Sequence, residues 1–392
     1  MKLIFFTYDF PYPMNSGGKT RAYNLLKERS QDIEVILFSF TRKGFDKKSI
    51  KNLENIGIKN THLFQRKKLM SISNLTALVD SNNSIFQKLY FDKTVEDDLI
   101  ATIQNEKVDA VHFESFYTGF YISDKLKDLG VRQIFGTENI EANIYEDYIK
   151  YSISPLFKPF YKKESKKIRR EEDKMMRLSD ITLAVTPSEK EYIEVVSKKD
   201  AYVIENGVDL NIFKFQNKKP TLKKTILFVG NFSYFPNTDA IDFFYHGVFK
   251  KIENNNIHLK IIGKGSSKLE FINDPRVNTH EFVDDIVAAY HEADVFVSPI
   301  RIGGGTNFKI LESMAVGLPV IAFPHRLQDL GVENKEHLLI AHSEKSYIDS
   351  LHELFDNEVL VKKITKNARK LIEDKFSWKN IGSRMNNIWS SR

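Results

Sequence analysis

The chain of 392 residues contains no cysteine. This absence excludes disulfides and thiol chemistry, and it fits a reducing compartment. No window approaches about 18 apolar residues without a charge, so no transmembrane helix is predicted. The opening residues, MKLIFFTYDF, hold too short an apolar run for a secretory signal and predict a first β-strand instead. We therefore expect a cytoplasmic protein.

Four familiar binding motifs are also missing. No Gly-Lys-Ser/Thr triplet completes a P-loop, and no G-x-G-x-x-G follows the first strand of either half, which counts against NAD and FAD. The ten histidines are scattered, no His-Glu-x-x-His occurs, and no Asp-x-Asp stands at a strand end. The sequence therefore predicts neither a cofactor nor a metal site.

The composition is that of an ordinary globular protein, with 42% hydrophobic and 28% charged residues. A net charge of +6 favours anionic partners, but this excess is too small for a nucleic-acid-binding protein. Anionic small molecules and a lipid surface remain as candidates. The length predicts two or three domains, since one hydrophobic core stops growing at about 250 to 300 residues.

Short apolar runs alternate with longer amphipathic segments, which predicts an α/β fold of βαβ units around parallel sheets. The polar, proline-containing stretch 205–224 predicts a connection between two domains. Two doubly wound sheets meeting edge-on would leave a cleft between their carboxyl-end loops, where open α/β sheets bind ligands. The predicted strands are 2–8, 33–40, 108–115, 131–137, 181–186, 201–206, 225–231, 258–265, 277–283, 294–300 and 318–323.

The stretch RIGGGTNFKILESMAVGLPV, 301–320, places a glycine-rich loop before a predicted helix, 308–316. Glycines and the free amides of a helix start attract anions, and Arg301 and Lys309 flank the loop. Lys309 shares a helix face with Glu312, three residues on. A tight strand-to-helix turn is the alternative, but the flanking cations favour a binding loop. The loop residues are Gly303, Gly304 and Gly305, then Thr306 and Asn307 as candidate N-caps, with Gly317 as the helix stop.

Residues 156–170 combine lysines and arginines with aromatic side chains. One interpretation is a solvated helix with internal ion pairs, for which Glu164, Glu171, Glu172 and Asp173 are the candidate anions. The other is a patch lying on an anionic membrane, where each Lys or Arg near the surface contributes about 1 kcal/mol. The second interpretation becomes attractive only for a lipid-linked substrate.

The chain carries an ordered series of motifs: PYPMNSGGKTRAYNLL, SEKEYI, VIENGVDLNIF, ILFVGNFSYFPNTDAIDFF, IIGKG, FVDDIVAAYHEADVFVSPI, PIRIGGGTNFKILESMAVGLPVIAF and FSWKNIGSRMNNIW. This series resembles the family 4 (group 1) glycosyltransferases. The resemblance implies the GT-B fold, with two Rossmann-like doubly wound domains facing a central cleft. It implies an acceptor-side domain at 1–205, onto which a C-terminal helix 377–392 packs back, and a donor-binding domain at 206–376.

The resemblance further implies a retaining transfer of a sugar from a nucleotide-diphosphate donor to an acceptor hydroxyl, usually without a metal, in polysaccharide or glycoconjugate biosynthesis. The implied partners are a nucleotide sugar and a glycan, lipid-linked or protein acceptor, with no nucleic acid. Membrane contact through 156–170 would place the protein at the inner face of the membrane. The alternatives are a GT-B sugar-nucleotide epimerase or hydrolase, and a degenerate scaffold that binds a nucleotide sugar without turnover.

Carried over residue by residue, the resemblance assigns Glu312 to the ribose hydroxyls, a task that suits a carboxylate acceptor. Arg301, Lys309 and Glu138 would be catalytic. Three of these sites have an alternative interpretation. Residues 17–18 would form a plain turn on the first loop, the segment VDD would supply a helix N-cap, and Glu312 would lie on the helix surface. The donor-binding set is Gly17, Gly18, Gly230, Asn231, Val283, Asp284, Gly303, Gly304, Gly305, Thr306, Asn307 and Glu312.

The sequence departs from the family pattern in three places. Many members carry two glutamates seven residues apart, and the first position is Gly304 here, so the sugar cannot be inferred. Many members place an Arg and a Lys soon after the first strand of the second domain, whereas GNFSYFPNTD has neither; we infer that Arg301 and Lys309 supply the cations. Where a histidine often follows an N-domain strand, this chain has Glu138 and Asn139, and His112 is a catalytic candidate or a strand-end residue.

Overall fold

A computed structural model describes residues 1–41, 47–67, 80, 82–151, 153–218, 221–302, 308–325 and 327–391. The chain forms two compact units, one of Met1–Asn206 with Trp378–Arg392 and the other of Gly207–Ser377. Each unit contains one parallel sheet in its described residues. The predicted α/β class with two parallel-sheet domains is therefore confirmed.

The described strands of unit 1 are β1 (Lys2–Thr7), β2 (Glu34–Thr41), β3 (Asn60–Gln65), β4 (Ala110–Glu114), β5 (Arg132–Gly136), β6 (Ile181–Ala184) and β7 (Ala201–Val203). They pair in the order β3-β2-β1-β4-β5-β6-β7. This order reverses between β1 and β4, the place where open α/β sheets put a ligand. The helices are α1 (Gly17–Lys27), α2 (Lys47–Asn55), α3 (Ile85–Tyr90), α4 (Lys93–Glu106), α5 (Asp124–Asp128), α6 (Glu141–Tyr151), α7 (Lys158–Leu178) and α8 (Pro187–Ser197).

The described strands of unit 2 are β8 (Lys224–Val229), β9 (Ile257–Ile262), β10 (Val277–His280), β11 (Val295–Ser298), β12 (Val320–Ala322) and β13 (Leu339–Ile340). They pair in the order β10-β9-β8-β11-β12-β13, which reverses between β8 and β11. The helices are α9 (Phe235–Gly247), α10 (Ile286–Glu292), α11 (Phe308–Val316), α12 (Glu344–Asp356) and α13 (Glu358–Leu371), followed by a π-helical turn at Ile372–Phe376. Each predicted strand is present, whereas β3 and β13 are not predicted.

The central strands are buried on both faces, which explains their continuous apolar runs. In β1, every residue from Leu3 to Phe6 is fully buried, and Thr7 is 2% exposed. Helices that cover both faces of such a sheet leave only its strand-end loops to carry polar side chains. The candidate functional residues stand on those loops and on the helix starts that follow them.

The last helix, α14 (Trp378–Ser390), packs against α1 in unit 1. A Cβ at Gly382 would come within 2.3 Å of the Glu28 Cβ, so glycine permits this close approach. Trp389 is fully buried, and its indole Nε1 donates to Nδ1 of His112 at 3.1 Å. Helix α14 thus contributes buried side chains to unit 1.

Candidate active site

The loops at the carboxyl edge of the unit 2 sheet are fixed to one another. Gly263 has φ +140°, and a Cβ there would lie 1.8 Å from the Gly230 carbonyl oxygen. The Gly230 amide donates to Ile262 at 2.9 Å, and the Asn237 amide group donates to the Asn231 carbonyl at 2.8 Å. Gly230 and Asn231, both predicted to bind the donor, therefore begin a well-braced loop.

Lys309 and Glu312 lie half-buried on α11. The Lys309 ammonium donates to Oδ1 of Asn237 at 3.3 Å, and the Tyr290 hydroxyl donates to Oε2 of Glu312 at 2.8 Å. Asn237 and Tyr290 are not among the residues predicted from the sequence. No local pattern marks them, because they come from α9 and α10 and meet α11 only through the fold.

The pKa values of Lys309 and Glu312 are both shifted towards neutral pH. Burial lowers the pKa of Lys309 to about 8, against the opposing charge of Glu312. Burial raises the pKa of Glu312 to about 7, against the hydrogen bond from Tyr290 and the charge of Lys309. A desolvated pair with specific partners is typical of functional sites.

The helix predicted at 308–316 is α11, Phe308–Val316, and Gly317 ends it with φ +84° as expected of a C-terminal stop. The loop before it cannot be placed beside the pair. Gly303, Gly304, Gly305, Thr306 and Asn307 lie outside the described residues.

Arg301 lies just beyond β11 and is engaged by two neighbours. Its guanidinium donates to both carboxylate oxygens of Asp239, at 2.7 and 3.2 Å, and lies 4.5 Å from the ring centroid of Phe243. The side chain is 39% exposed. A two-point contact with a carboxylate offsets part of its charge, so Asp239 competes with any anionic ligand for Arg301.

The segment VDD supplies a helix N-cap, as the alternative interpretation expected. The capping residue is Asp285, whose Oδ1 accepts from the amides of Val287 and Ala288 at 2.9 and 3.0 Å. Val283 packs half-buried against the core of unit 2, and Asp284 is exposed. The side chain of Asp284 is therefore left facing solvent beside the capped helix.

In unit 1, Gly17 and Gly18 form the start of α1 rather than part of the loop before it, which corrects the expectation from the sequence. The extended residue Ser16 occupies the N-cap position, so the helix starts one residue later. A Cβ at Gly18 would lie 2.4 Å from Oε1 of Glu138 and 2.5 Å from the Tyr8 hydroxyl. A larger residue at position 18 would therefore displace two unit 1 side chains, Glu138 and Tyr8.

Glu138 follows β5 and is half-buried, with an Oε1 atom that finds no hydrogen-bond partner in the described part of the chain. Burial, followed by the charge of Glu114, raises the pKa of Glu138 to about 8, and the charge of Arg21 opposes this. The carboxyl group is therefore mainly neutral at pH 7. It can donate a hydrogen bond, and it is a poor base there.

A buried ion pair that the sequence analysis missed lies beside Glu138. Arg21 donates to Glu114 at 2.6 Å, and Nε2 of His112 lies 2.8 Å from the same carboxylate. Burial alone would raise the pKa of Glu114, but Arg21 and His112 lower it to about 2. His112 is fully buried, which favours the structural interpretation of this residue.

Neither a metal cluster nor a membrane span is found where the structure describes the chain. Among these residues no group of three or more His, Cys, Asp or Glu side chains is placed to hold a metal ion. Likewise, none of the described helices combines the length and the apolar composition needed to cross a bilayer. Even α7, with 21 residues, carries charged side chains along its whole length.

Two known sequence families match this chain. The family described as "Glycosyltransferase Family 4" matches residues 15–212, and the one described as "Glycosyl transferases group 1" matches residues 223–357. Together they span both units of the chain. The chain therefore belongs to the family 4, group 1 glycosyltransferases.

Known proteins resemble this chain over its full length. An uncharacterized 44.6 kDa protein in the cps region of Klebsiella pneumoniae is 21% identical over 97% of this chain and 98% of its own. Sucrose-phosphate synthase from Thermosynechococcus elongatus matches with a TM-score of 0.71 at 15% identity, covering 99% of this chain and 98% of that one. Anabaena Alr3699/HepE in complex with UDP matches with a TM-score of 0.70 at 12% identity over 100% of both chains. The GT-B fold is thereby confirmed.

Proposed function

We propose that this glycosyltransferase moves a sugar from a nucleotide-diphosphate donor to an acceptor hydroxyl, with retention of configuration at the anomeric carbon. The observation that carries the proposal is the Lys309–Glu312 pair on α11, held by Asn237 and Tyr290. A cation and a carboxylate on one helix face match the diphosphate and the ribose hydroxyls of such a donor. Gly230 and Asn231 stand on the neighbouring strand-end loop, where they are proposed to contact the donor.

In this proposal Lys309 and Arg301 stabilise the negative charge that collects on the departing diphosphate. A helix N-terminus alone contributes about 0.3–2 kcal/mol, whereas enzymes lower barriers by about 8–23 kcal/mol. The glycine-rich loop therefore needs the two cations. Positioning of the substrates and exclusion of water supply further stabilisation.

The bond from the anomeric carbon to the phosphate oxygen breaks as the acceptor oxygen bonds to the same face of that carbon. The acceptor proton passes to the departing phosphate oxygen, so no protein base is needed. Glu138 suits a different task, because its neutral carboxyl group can donate a hydrogen bond to a sugar hydroxyl. Its unpartnered Oε1 can accept one from the acceptor.

Two similarities guide the choice of substrates. HepE has been solved in complex with UDP and with UDP-glucose, so uridine diphosphate sugars are the first donors to test. The relative in a cps region supports a place in surface polysaccharide synthesis. We assign the acceptor to a glycan, lipid-linked or protein hydroxyl, and the enzyme to the cytoplasm at the inner face of the membrane.

The test is a screen of UDP-, GDP- and ADP-sugars for thermal stabilisation, since a ligand that binds the folded state raises stability by RT ln(1 + [L]/Kd). Product analysis with and without glycan acceptors then separates the candidate activities. We expect nucleotide diphosphate release that depends on an acceptor. Release or rearrangement without an acceptor would indicate a hydrolase or epimerase, and stabilisation without turnover would indicate a scaffold.

A further inference from the structure

The helices α6 and α7 form a hairpin that projects beyond the carboxyl edge of the unit 1 sheet. Oε1 of Glu172 on α7 accepts a hydrogen bond of 2.7 Å from the backbone amide of Glu141, the first residue of α6. From Glu172 back to Lys158 there are 14 residues, which at 1.5 Å per residue place the start of α7 about 21 Å from this contact along the helix axis. The other end of α7 leads into β6 at the opposite edge.

The projecting end carries two exposed apolar side chains. Leu156 is 80% exposed and Phe157 is 56% exposed. Both precede the first residue of α7 and pack into no core of unit 1. An adjacent leucine and phenylalanine at the tip of a projecting hairpin are costly in water unless another surface covers them.

Lysines without ion pairs follow the exposed tip. Within the described part of the chain, no carboxylate lies within 4 Å of the ammonium groups of Lys158, Lys162, Lys163 or Lys166. Three of these, Lys162, Lys163 and Lys166, are exposed. A groove of about 690 Å³ runs between α6 and α7, lined by these four lysines together with Lys150 and Glu146.

The carboxylates of α7 point into the protein instead of towards these lysines. Glu164 pairs with the buried Lys167, and Glu171 accepts the amide of Ser84 at 2.7 Å. Glu172 accepts the amides that begin α6, and Asp173 accepts the hydroxyl of Tyr192 at 2.7 Å. The four anions proposed for a self-neutralised helix therefore serve the interior. Outside them, Glu146 of α6 is engaged by Arg169.

We propose that the segment 156–166 docks the protein onto an anionic lipid bilayer. Leu156 and Phe157 enter the interface between headgroups and acyl chains, and the unpaired lysines behind them contact lipid phosphates. This arrangement complements an anionic membrane, because the apolar tip reaches the membrane interface and the positive charges behind it lie beside the lipid phosphates. Docking in this way holds unit 1, which carries Glu138, at the membrane surface. A lipid-linked acceptor fits this arrangement. This choice of acceptor rests on the proposed function, whereas the docking itself does not.

The experiment is cosedimentation of the full chain with vesicles of phosphatidylcholine alone or with about one third phosphatidylglycerol. We expect binding to the anionic vesicles that falls as salt rises from about 0.1 M to about 1 M, where the Debye length shrinks from about 10 to about 3 Å. Lys162→Glu with Lys163→Glu should weaken binding at least about 25-fold, because each lysine contributes about fivefold (about 1 kcal/mol). Leu156→Asp with Phe157→Asp should abolish it.

Matched controls lie on α13 of the other unit. Lys366→Glu with Lys370→Glu makes the same charge change at exposed sites, and Val359→Asp places an aspartate at a side chain that is 80% exposed. Both should bind vesicles like the wild type. Equal binding by the hairpin variants and the controls, or wild-type binding that ignores lipid charge and salt, would overturn the proposal. Calorimetric titration with UDP in the absence of vesicles tests the donor site separately and should give the same Kd for every variant.

Discussion

The hydroxyl of Tyr290 donates a 2.8 Å hydrogen bond to Oε2 of Glu312. Tyr290 is fully buried on α10, and Glu312 is half-buried on α11. Burial raises the pKa of Glu312 to about 7, and this hydrogen bond acts against that shift. Tyr290 therefore helps to set the charge of the carboxylate that we assign to the ribose.

Replacing Tyr290 by phenylalanine should make UDP binding more sensitive to acid. The variant keeps the ring but loses a hydrogen bond to the ionised carboxylate, so the pKa of Glu312 rises above about 7. A rise of about one unit lowers the ionised fraction of Glu312 at pH 7 from about one half to about one tenth, which weakens binding about fivefold. Calorimetric titration with UDP between about pH 6 and pH 9 measures the displacement of the acidic limb.

The matched control is Tyr347→Phe, which changes a fully buried tyrosine of the same unit that packs against Phe244 and Phe323. Its acidic limb should coincide with that of the wild type. Coincidence of all three profiles would show that Tyr290 does not tune the donor site.

Lys309→Met should depress turnover about 10²–10³-fold while leaving the fold intact, as expected for the loss of one electrostatic group at the leaving diphosphate. Burial lowers the pKa of Lys309 from 10.5 to about 8, so at pH 7 the side chain is mainly charged in both states and its buried charge destabilises the folded one. Removing the charge should therefore cost little free energy of unfolding at pH 7. Chemical denaturation and steady-state kinetics measure the two effects. Lys250→Met, at an exposed site, is the control, and wild-type turnover by Lys309→Met would exclude Lys309 from the reaction.

Gly18→Ala should destabilise unit 1 through Glu138. The new Cβ would lie 2.4 Å from Oε1 of Glu138 and 2.5 Å from the Tyr8 hydroxyl, so these side chains must move. Overpacking of this kind costs about 1–3 kcal/mol. In a double-mutant cycle, Glu138→Ala should recover the part of that loss that comes from the Glu138 contact, whereas it should not rescue Gly17→Ala. Strict additivity of Gly18→Ala and Glu138→Ala would contradict the contact.

The sequence predicted the strands that form continuous apolar runs, because such runs are buried on both faces. It did not predict β3, NTHLFQ, which lies at the edge of its sheet and is nowhere fully buried, so polar residues are tolerated throughout. Nor did it predict β13, because two residues are too few for a periodic pattern. Edge position and shortness remove the hydrophobic signal on which such predictions depend.

The same limit applies to the site. Lys309 and Glu312 could be placed together from spacing alone, since positions three apart share a helix face. Tyr290 lies 22 residues from Glu312, and Asn237 lies 72 residues from Lys309. The contact of Gly18 with Glu138 joins α1 to the loop after β5. Such partners are set by the packing of separate elements, which no local pattern records.

Glu138→Gln should change the pH dependence of stability in a defined direction. In the folded chain the pKa of Glu138 is raised from 4.5 to about 8. Between these values the folded state keeps a proton that the unfolded state loses, so the contribution of Glu138 is complete below about pH 4.5 and disappears as the pH rises through about 8. Glutamine has no such proton. The variant should therefore gain on the wild type by up to about 1.4 kcal/mol per pH unit across this window.

Urea denaturation of both proteins at about pH 5, 6, 7 and 8 gives the difference in the free energy of unfolding. Glu191→Gln, at an exposed carboxylate of α8 in the same unit, controls for the loss of one charge and should show no such trend. A difference between Glu138→Gln and the wild type that stays constant from about pH 5 to pH 8 would mean that Glu138 is already ionised in the folded chain. It would then be available as a base, and the role of hydrogen-bond donor would have to be given up.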